Sequence, residues 1–248
     1  MAAMPKPAKA VAKPKVDKEA VARLDRDQAV TQLVAAAITL LADKGPAAIK
    51  ARTVAEAAGL STIAVYYHLG GLPELIQAVV DRGFQDLGDA FLNAPAGDDP
   101  VTSLFAMALE ARRFAQANPH LYDLMFGLST RGSYRPLHPA KSADRSRAEN
   151  FQKAYDHLVQ GCSRLVASGR VRPDEDPDVI APQLWSVVHG FVTLELGGHV
   201  SHFDDPVRQI LLPMMINIVV GMGDDPQSAN ASHTAAMDAM HTLSTNPT

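Results

Sequence analysis

Cysteine and aromatic residues are scarce in this chain. Its 248 residues include a single cysteine, Cys162, and aromatic side chains make up 6% of the total. One cysteine excludes a disulfide bond within the chain and a metal site built from cysteines alone. Strand-like alternation of apolar and polar residues is also missing beyond a few residues, whereas apolar side chains recur at helical spacing. The sequence therefore predicts an all-α protein.

Long apolar runs are missing as well. The best candidate for a membrane span, residues 210–222, is short and is interrupted by Pro213, and the N-terminus has no long apolar region. We therefore expect a cytoplasmic protein with no membrane partner. Residues 210–222 are better interpreted as a buried or interface helix.

Charge is unevenly distributed along the chain. The net charge is −4, but residues 1–26 hold seven basic and three acidic side chains, whereas the remainder holds 16 basic and 24 acidic ones. Residues 1–22 are rich in alanine, lysine and proline, and we predict a disordered basic arm there. Such an arm favours contact with a DNA backbone, although a solubility tail has the same composition. Residues 223–248 are polar and aperiodic, and we predict a disordered tail.

A helix-turn-helix pattern occupies residues 52–69. Two short helical patterns meet at Gly59, which suits the left-handed residue that ends a helix, and Ser61 is placed to cap the next helix. The second helix is short and its outward face is mixed, which fits a DNA groove better than a solvated surface. The positions spaced to face inward are Val54, Ala55, Ala58, Leu60, Val65 and Leu69.

The other side chains of this pattern are the candidate DNA-binding residues. Thr62 and Tyr67 offer hydrogen bonds to base edges, while Ile63 and Ala64 offer apolar contact with a thymine methyl group. The full predicted set is Arg52, Ser61, Thr62, Ile63, Ala64, Tyr66, Tyr67 and His68.

Residues 27–80 resemble the DNA-binding domain of the tetracycline-repressor (TetR-like) family. The recognition helix of that family ends in a Tyr-x-His-aromatic signature, and the corresponding segment here is Tyr66-Tyr67-His68-Leu69. The resemblance implies a three-helix DNA-binding domain over residues 23–72. It also implies that Tyr66 and His68 contact phosphates and that Arg52 contacts DNA from the start of the second helix.

Two positions depart from the family pattern. Leu72 stands where a lysine commonly opens the fourth helix, and Ala51 stands where threonine or serine commonly caps the second. The module is also neutral, with three basic and three acidic side chains between residues 27 and 71. A helical small-molecule-binding or scaffold protein with a degenerate DNA-binding module therefore stays open as an alternative. The lysines of the arm could supply the charge that the module lacks.

A helical bundle is predicted for residues 73–222. Within it, residues 114–127 and 184–196 look like the regulatory domain of a TetR-like subgroup with a Trp-x-x-x-His-Gly signature, here Trp185, His189 and Gly190. The resemblance implies a domain that binds a small-molecule effector and forms a homodimer through the last two long helices. It further implies an inducible repressor that binds a palindromic double-stranded DNA operator.

The predicted bundle carries enough large apolar side chains to line a ligand pocket, so we expect an apolar effector and no cofactor. The candidate ligand-binding residues are Phe105, Leu109, Phe114, Tyr122, Met125, Phe126, Trp185 and His189. Leu158, Leu184 and Val188 belong to the same apolar set. The same spacing would occur in an apolar stripe of an ordinary protein core whose histidine is hydrogen-bonded within the protein. Spacing alone does not show which aromatic rings face a cavity.

Two patterns that suggest other chemistry are rejected. Glu195, His199 and His202 have the spacing of a metal-binding helix face, but Gly197 and Gly198 lie between them and break the helix. The segment 127–131 resembles a hydrolase nucleophile turn, yet arginine stands where the second glycine is required. We therefore predict that the chain is not an enzyme.

Overall fold

A computed structural model describes residues 26–95, 97–126 and 145–245. These residues form helices and turns and contain no strand, so the predicted all-α fold is confirmed. The predicted basic arm, residues 1–22, lies outside the described residues, as does the segment 127–131.

Three helices of the described residues form the N-terminal unit. Helix α1 spans Arg26–Lys44, a 3-10 turn covers Pro46–Ala48, α2 spans Ala51–Ala57, and α3 spans Thr62–His68. Helix α1 packs against α2 and α3 through one apolar stripe. The buried residues of that stripe are Ala29, Leu33, Val34, Ala37 and Leu41.

Within the part of the chain that the structure describes, seven further helices form the bundle. They are α4 (Leu72–Leu92), α5 (Pro100–Ala117), α6 (Pro119–Phe126), α7 (Arg145–Ala167), α8 (Pro177–Leu196), α9 (Leu212–Gly221) and α10 (Pro226–Thr245), and a π-helical turn, Val207–Leu211, precedes α9. Helix α4 packs along α7, and α5 lies against α4, α7, α8 and α10. Because α4 also contacts α1 and α3, one continuous apolar core joins the bundle to the N-terminal unit.

The predicted disordered tail is wrong for most of its length, because Pro226–Thr245 forms helix α10. Ala229, His233 and Ala236 lie on one face of this helix, and each is at most 1% exposed. The face packs on α5, where the His233 ring lies 4.6 Å from the Phe105 ring between centroids. A stripe built from alanine and histidine carries little hydrophobic signal, which is why the segment resembles a polar tail in the sequence.

An ionic network fixes the start of α10 to the bundle. The Arg170 guanidinium donates to both carboxylate oxygens of Asp224 at 2.7 and 2.8 Å, and to Asp99 at 2.6 Å. It also donates to the Ser232 hydroxyl at 3.2 Å. Asp99 in turn caps α5 by accepting from the Thr102 backbone N–H at 3.2 Å. One arginine thus joins the start of α5, the loop after α7 and the start of α10.

Helix α8 is long and apolar enough, by length and composition alone, to cross a membrane. This differs from the expectation that no segment reaches that length, because Pro182 and scattered polar residues conceal the apolar character of the helix. Core helices of globular proteins pass the same test, and α8 buries Leu184, Val188 and Phe191 against its neighbours.

Candidate DNA interface and ligand cavity

The turn between α2 and α3 is closed by backbone hydrogen bonds. The Leu60 N–H donates to the Ala55 carbonyl at 2.8 Å, and the Gly59 N–H donates to Glu56 at 3.1 Å, which together form a Schellman motif. Gly59 has φ = 69°, as predicted, and a Cβ added there would meet nothing within 4 Å. The left-handed backbone, rather than crowding, is therefore what requires glycine.

Ser61 caps the start of helix α3, as predicted. Its hydroxyl accepts from the Ala64 backbone N–H at 3.3 Å, and its own backbone is extended. The start of α2 differs from the expectation, because Ala51 is the first helical residue and the cap position belongs to Lys50. There the Thr53 hydroxyl accepts a hydrogen bond from the Lys50 backbone N–H at 3.2 Å. The start of α2 is therefore capped although residue 51 is alanine.

Three large side chains of α3 are exposed. Ile63 is 70% exposed, Tyr66 58% and Tyr67 79%. Arg52 on α2 is also exposed, and Thr62 is half-buried at the start of α3. Clustered exposed apolar and aromatic groups mark an interaction surface. The structure therefore brings five of the predicted DNA-binding residues to the surface of α2 and α3.

Ala64 and His68 lie on the opposite side of α3. Ala64 is fully buried and His68 is 5% exposed, and both accompany Val65 on the inner face of the helix. The expectation that these two side chains face outward is wrong. In a helix of seven residues, positions i, i+1 and i+4 share a face, so burial of Val65 carries Ala64 and His68 inward. A direct phosphate contact is not available to a histidine ring with this burial.

A narrow cavity lies between α4, α5, α7 and α8. Its volume is about 30 Å³, far less than a drug-sized ligand needs. Three of the predicted ligand-binding residues, Tyr122, Trp185 and His189, line it. The other lining residues are Leu87, Phe91, Leu104, Met107, Ala108, Ala111, Leu158, Leu184, Val188 and Met215.

The other five predicted ligand-binding residues do not line this cavity. Phe105 faces α10, and Met125 fills the space beside Gly83, where an added Cβ would lie 2.6 Å from the sulfur. Phe126 forms a second layer behind the wall, with its ring centroid 4.3 Å from that of His189. Leu109 and Phe114 pack in the apolar core. Helical spacing identified these groups as apolar but did not reveal which neighbour each one meets.

Helix α4 contributes two residues to the cavity wall that the sequence alone does not place there. Leu87 and Phe91, one helical turn apart, form one side of the cavity. Their stripe on α4 is apparent in the sequence, but only the tertiary packing of α4 against α7 turns it toward the cavity.

One hydrogen-bonded pair interrupts the apolar wall. The Tyr122 hydroxyl lies 2.9 Å from Nδ1 of His189. Burial raises the pKa of Tyr122 above its ordinary value of 10.0 and lowers the pKa of His189 below its ordinary 6.5. Near neutral pH the phenol therefore keeps its proton and the imidazole is uncharged.

Two surface clefts adjoin the cavity. One, of about 330 Å³, lies between the start of α6 and the end of α8 and shares Tyr122 with the cavity. The other, of about 520 Å³, lies beside the ends of α4 and α7 and shares Phe91 and Met107. The cavity and the two clefts thus share three wall residues.

The residues of the rejected metal pattern have other surroundings. Glu195 accepts hydrogen bonds from Arg112, at 2.8 and 3.1 Å from Nε and 2.7 Å from Nη2, and His199 and His202 are exposed. The described residues contain no cluster of three or more side chains that could hold a metal ion.

Two family models match the chain. The model of bacterial regulatory proteins of the tetR family matches residues 33–79, and the model of the tetracyclin repressor-like C-terminal domain matches residues 104–216. The chain belongs to the TetR family of transcriptional regulators. Family membership also confirms that this is a regulator rather than an enzyme.

Curated relatives of this TetR-family chain include HTH-type transcriptional regulators of mycobacteria. Rv1816 of Mycobacterium tuberculosis and Mb1846 of Mycobacterium bovis are each 26% identical to it over 163 residues. The chain spans 64% of the length of these relatives, and the match covers 64% of the chain.

Solved structures share the fold. A protein of unknown function from Rhodococcus sp. RHA1 has a TM-score of 0.63 at 24% identity, covering 79% of this chain and 96% of the other. RolR, solved in complex with resorcinol, has a TM-score of 0.59 at 17% identity, covering 84% and 94%. A tetR-family regulatory protein from Rhodococcus RHA1 has a TM-score of 0.56 at 20% identity, covering 80% and 98%.

Proposed function

We propose that this TetR-family chain is a cytoplasmic, ligand-inducible repressor that binds a palindromic DNA operator as a homodimer. The observation that carries the proposal is the exposed surface of α3, where Ile63, Tyr66 and Tyr67 project from a helix that is fixed by the Gly59 turn and the Ser61 cap. A helix held in this way suits the major groove.

The DNA contacts follow from the exposed chemistry of α2 and α3. Tyr67 and Thr62 would hydrogen-bond to base edges, and Ile63 would contact a thymine methyl group. Tyr66 and Arg52 would contact phosphates and fix the position of the helix on the duplex. In this scheme Ser61 acts as a cap, and Ala64 and His68 support the helix from inside.

The homodimer would form through α8 and α9. Val179 and Leu194 on α8 are 51% and 49% exposed, and Met214 on α9 is 40% exposed. Gly190 and Gly221 on the same helices have open space where a Cβ would stand. Small residues between exposed apolar ones let a partner helix approach closely, and a two-fold dimer would present two α3 helices to a palindrome.

The effector would enter the cavity between α4, α5, α7 and α8. Trp185, His189 and Gly190 form the Trp-x-x-x-His-Gly signature of a TetR-like subgroup, and the first two line the cavity. The cavity must widen to admit a ligand, and a ligand releases DNA only if it binds the widened, DNA-incompetent state better. RolR, a protein of this fold, is solved in complex with resorcinol, a small aromatic molecule.

The test is binding of the purified protein to its own upstream intergenic DNA, titrated against salt. We expect specific, palindrome-dependent binding that the double substitution Ile63→Ala/Tyr67→Ala weakens by at least about tenfold. Leu92→Ala is the matched control, since Leu92 is 65% exposed but lies at the far end of α4. If the unsubstituted protein shows no specific binding at moderate salt, the alternative with a degenerate DNA-binding module is favoured. Leu72 and the neutral charge of the module are the features consistent with that outcome.

A further inference from the structure

The wall of the central cavity has a restricted chemistry. Of its 13 lining residues, only Tyr122, Trp185 and His189 carry a side-chain group that forms ordinary hydrogen bonds, and none carries a carboxylate, ammonium or guanidinium group. An ion that entered would lose its hydration without gaining an opposite charge, which is strongly unfavourable. The cavity therefore selects against charged ligands.

The hydrogen bond between Tyr122 and His189 fixes the proton on the histidine ring. His189 Nδ1, at 2.9 Å, is the only partner of the Tyr122 hydroxyl among the described residues. A buried phenol donates its proton to an acceptor, so Nδ1 accepts here. Since the neutral imidazole carries one proton, that proton lies on Nε2.

Two donors on this wall have no acceptor among the residues that the structure describes. Neither His189 Nε2–H nor Trp185 Nε1–H forms a hydrogen bond with any residue in 26–95, 97–126 or 145–245. The two residues are one helical turn apart on α8, so their side chains share a face. A polar donor that a ligand covers with apolar surface costs free energy unless the ligand supplies the missing acceptor.

We propose that the effector of the proposed repressor is a neutral, largely apolar molecule with a hydrogen-bond acceptor oxygen, such as a ketone, ester or ether, that accepts from His189. Tyr122 is a positioning residue, since it holds the His189 ring in the tautomer whose Nε2 donates. This inference rests on the proposed function only in assigning the cavity to the effector.

Three one-ring probes of nearly equal shape test the proposal. Acetophenone has an acceptor oxygen, α-methylstyrene has a methylene group in its place, and benzoate has a negative charge. Trp185 is the only tryptophan in the chain, so the single indole N–H resonance in the NMR spectrum reports directly on the cavity wall. Dissociation constants are measured for each probe at pH 7.5 by titration of the full-length protein.

The informative quantity is the affinity for acetophenone relative to that for α-methylstyrene. Both probes gain nearly the same free energy from burial of their apolar groups, so this contribution cancels in the ratio. We expect His189→Leu to lower this ratio by about three- to tenfold, which corresponds to one hydrogen bond. Tyr122→Phe should lower it by a smaller factor, because the ring stays in place but the tautomer is no longer held. Tyr155→Phe is the matched control and should leave the ratio unchanged: its ring lies 5.9 Å from Trp185 but outside the cavity lining.

A ratio that stays within twofold in both His189→Leu and Tyr122→Phe overturns the assignment of an acceptor oxygen. Benzoate that binds more tightly than acetophenone overturns the preference for a neutral ligand. If none of the probes shifts the indole resonance, the cavity itself is excluded as an effector site, and the proposed function fails at that step. If His189→Leu does not fold, the comparison of Tyr122→Phe with Tyr155→Phe still decides the matter.

Discussion

His189 and His233 have similar surroundings in different parts of the bundle. His189 lies against Phe126 and its Nδ1 is 2.9 Å from the Tyr122 hydroxyl, while His233 packs on Phe105 and its Nδ1 lies 2.7 Å from the Ala229 carbonyl. Burial lowers the pKa of each ring below the ordinary 6.5, and for His233 it outweighs the opposing effect of the Ala229 carbonyl and nearby carboxylates. Both rings are therefore neutral parts of the core.

The lowered pKa values predict a loss of stability in mild acid. Because the unfolded chain takes up protons on these histidines near pH 6.5 and the folded chain does so only at lower pH, the free energy of unfolding falls as the pH drops through 6.5. We expect the free energy of unfolding to fall less between pH 7.5 and 5.5 in His189→Gln and in His233→Gln than in the unsubstituted protein. Chemical denaturation at each pH measures this difference.

The comparison between variants also removes the contribution of Glu110. Burial raises the pKa of this carboxyl, so its protonation favours the folded state in acid and opposes the effect of the histidines. Equal slopes in the variants and the unsubstituted protein would contradict the prediction.

At the scale of elements, α10 depends on Arg170. The Asp224 side chain is only 2% exposed, so removal of the guanidinium would leave a buried carboxylate without its opposite charge. We expect Arg170→Ala to lower the free energy of unfolding by about 3 kcal/mol, measured by urea denaturation. Arg208→Ala breaks an exposed pair with Asp205 and should cost less than about 0.5 kcal/mol. Similar losses in both variants would show that the Arg170 network does not stabilise α10.

The elements differ in how far the sequence predicts them. The α2–α3 turn is specified locally, because Gly59 supplies the left-handed residue and Ser61 supplies the cap, and both predictions are confirmed. Helix α10 is specified by contact with α5, and its alanine stripe carries no strong periodic signal. The prediction that Ala64 and His68 face outward is wrong for a related reason. A helix of two turns has too few positions to show which of its sides faces the core.

The sequence likewise predicts only some of the residues that line the candidate cavity. The short signature predicts Trp185 and His189 as ligand-binding residues, and the separate segment 114–127 predicts Tyr122. Their arrangement around Leu87 and Phe91 depends on the packing of α4, α5, α7 and α8, which connects residues far apart in the sequence. Local spacing contains no information about such pairings, so it could not separate the lining residues from the second layer.

At the scale of the whole molecule, the proposed dimer can be tested by charge. Leu194→Glu/Met214→Glu places carboxylates on the exposed apolar face of α8 and α9, and we expect the dimer to weaken by at least about tenfold. Leu92→Glu is the control, because Leu92 is more exposed but lies outside this face. Sedimentation velocity measures the association state. A double variant that stays dimeric at the same concentrations as the control would place the interface elsewhere.

The charge distribution of the whole chain gives a second prediction. Residues 1–22 carry five lysines, and the DNA-binding module that follows is neutral. We expect deletion of residues 1–22 to reduce the slope of log affinity against log salt by about 0.9 for each phosphate contact that is lost. Fluorescence anisotropy with operator DNA over a range of salt measures this slope. An unchanged affinity and slope would mean that the arm does not contact DNA.

In the proposed repressor, the narrowness of the cavity has a consequence for the timing of induction. A ligand cannot fit a space of about 30 Å³ until the side chains around it move aside, among them Tyr122, Phe91 and Met107, which the cavity shares with the surface clefts. Above a certain effector concentration, the observed rate of binding is then limited by this internal opening. Beyond that point additional effector no longer shortens the delay, and the protein itself determines how soon the regulated promoter responds.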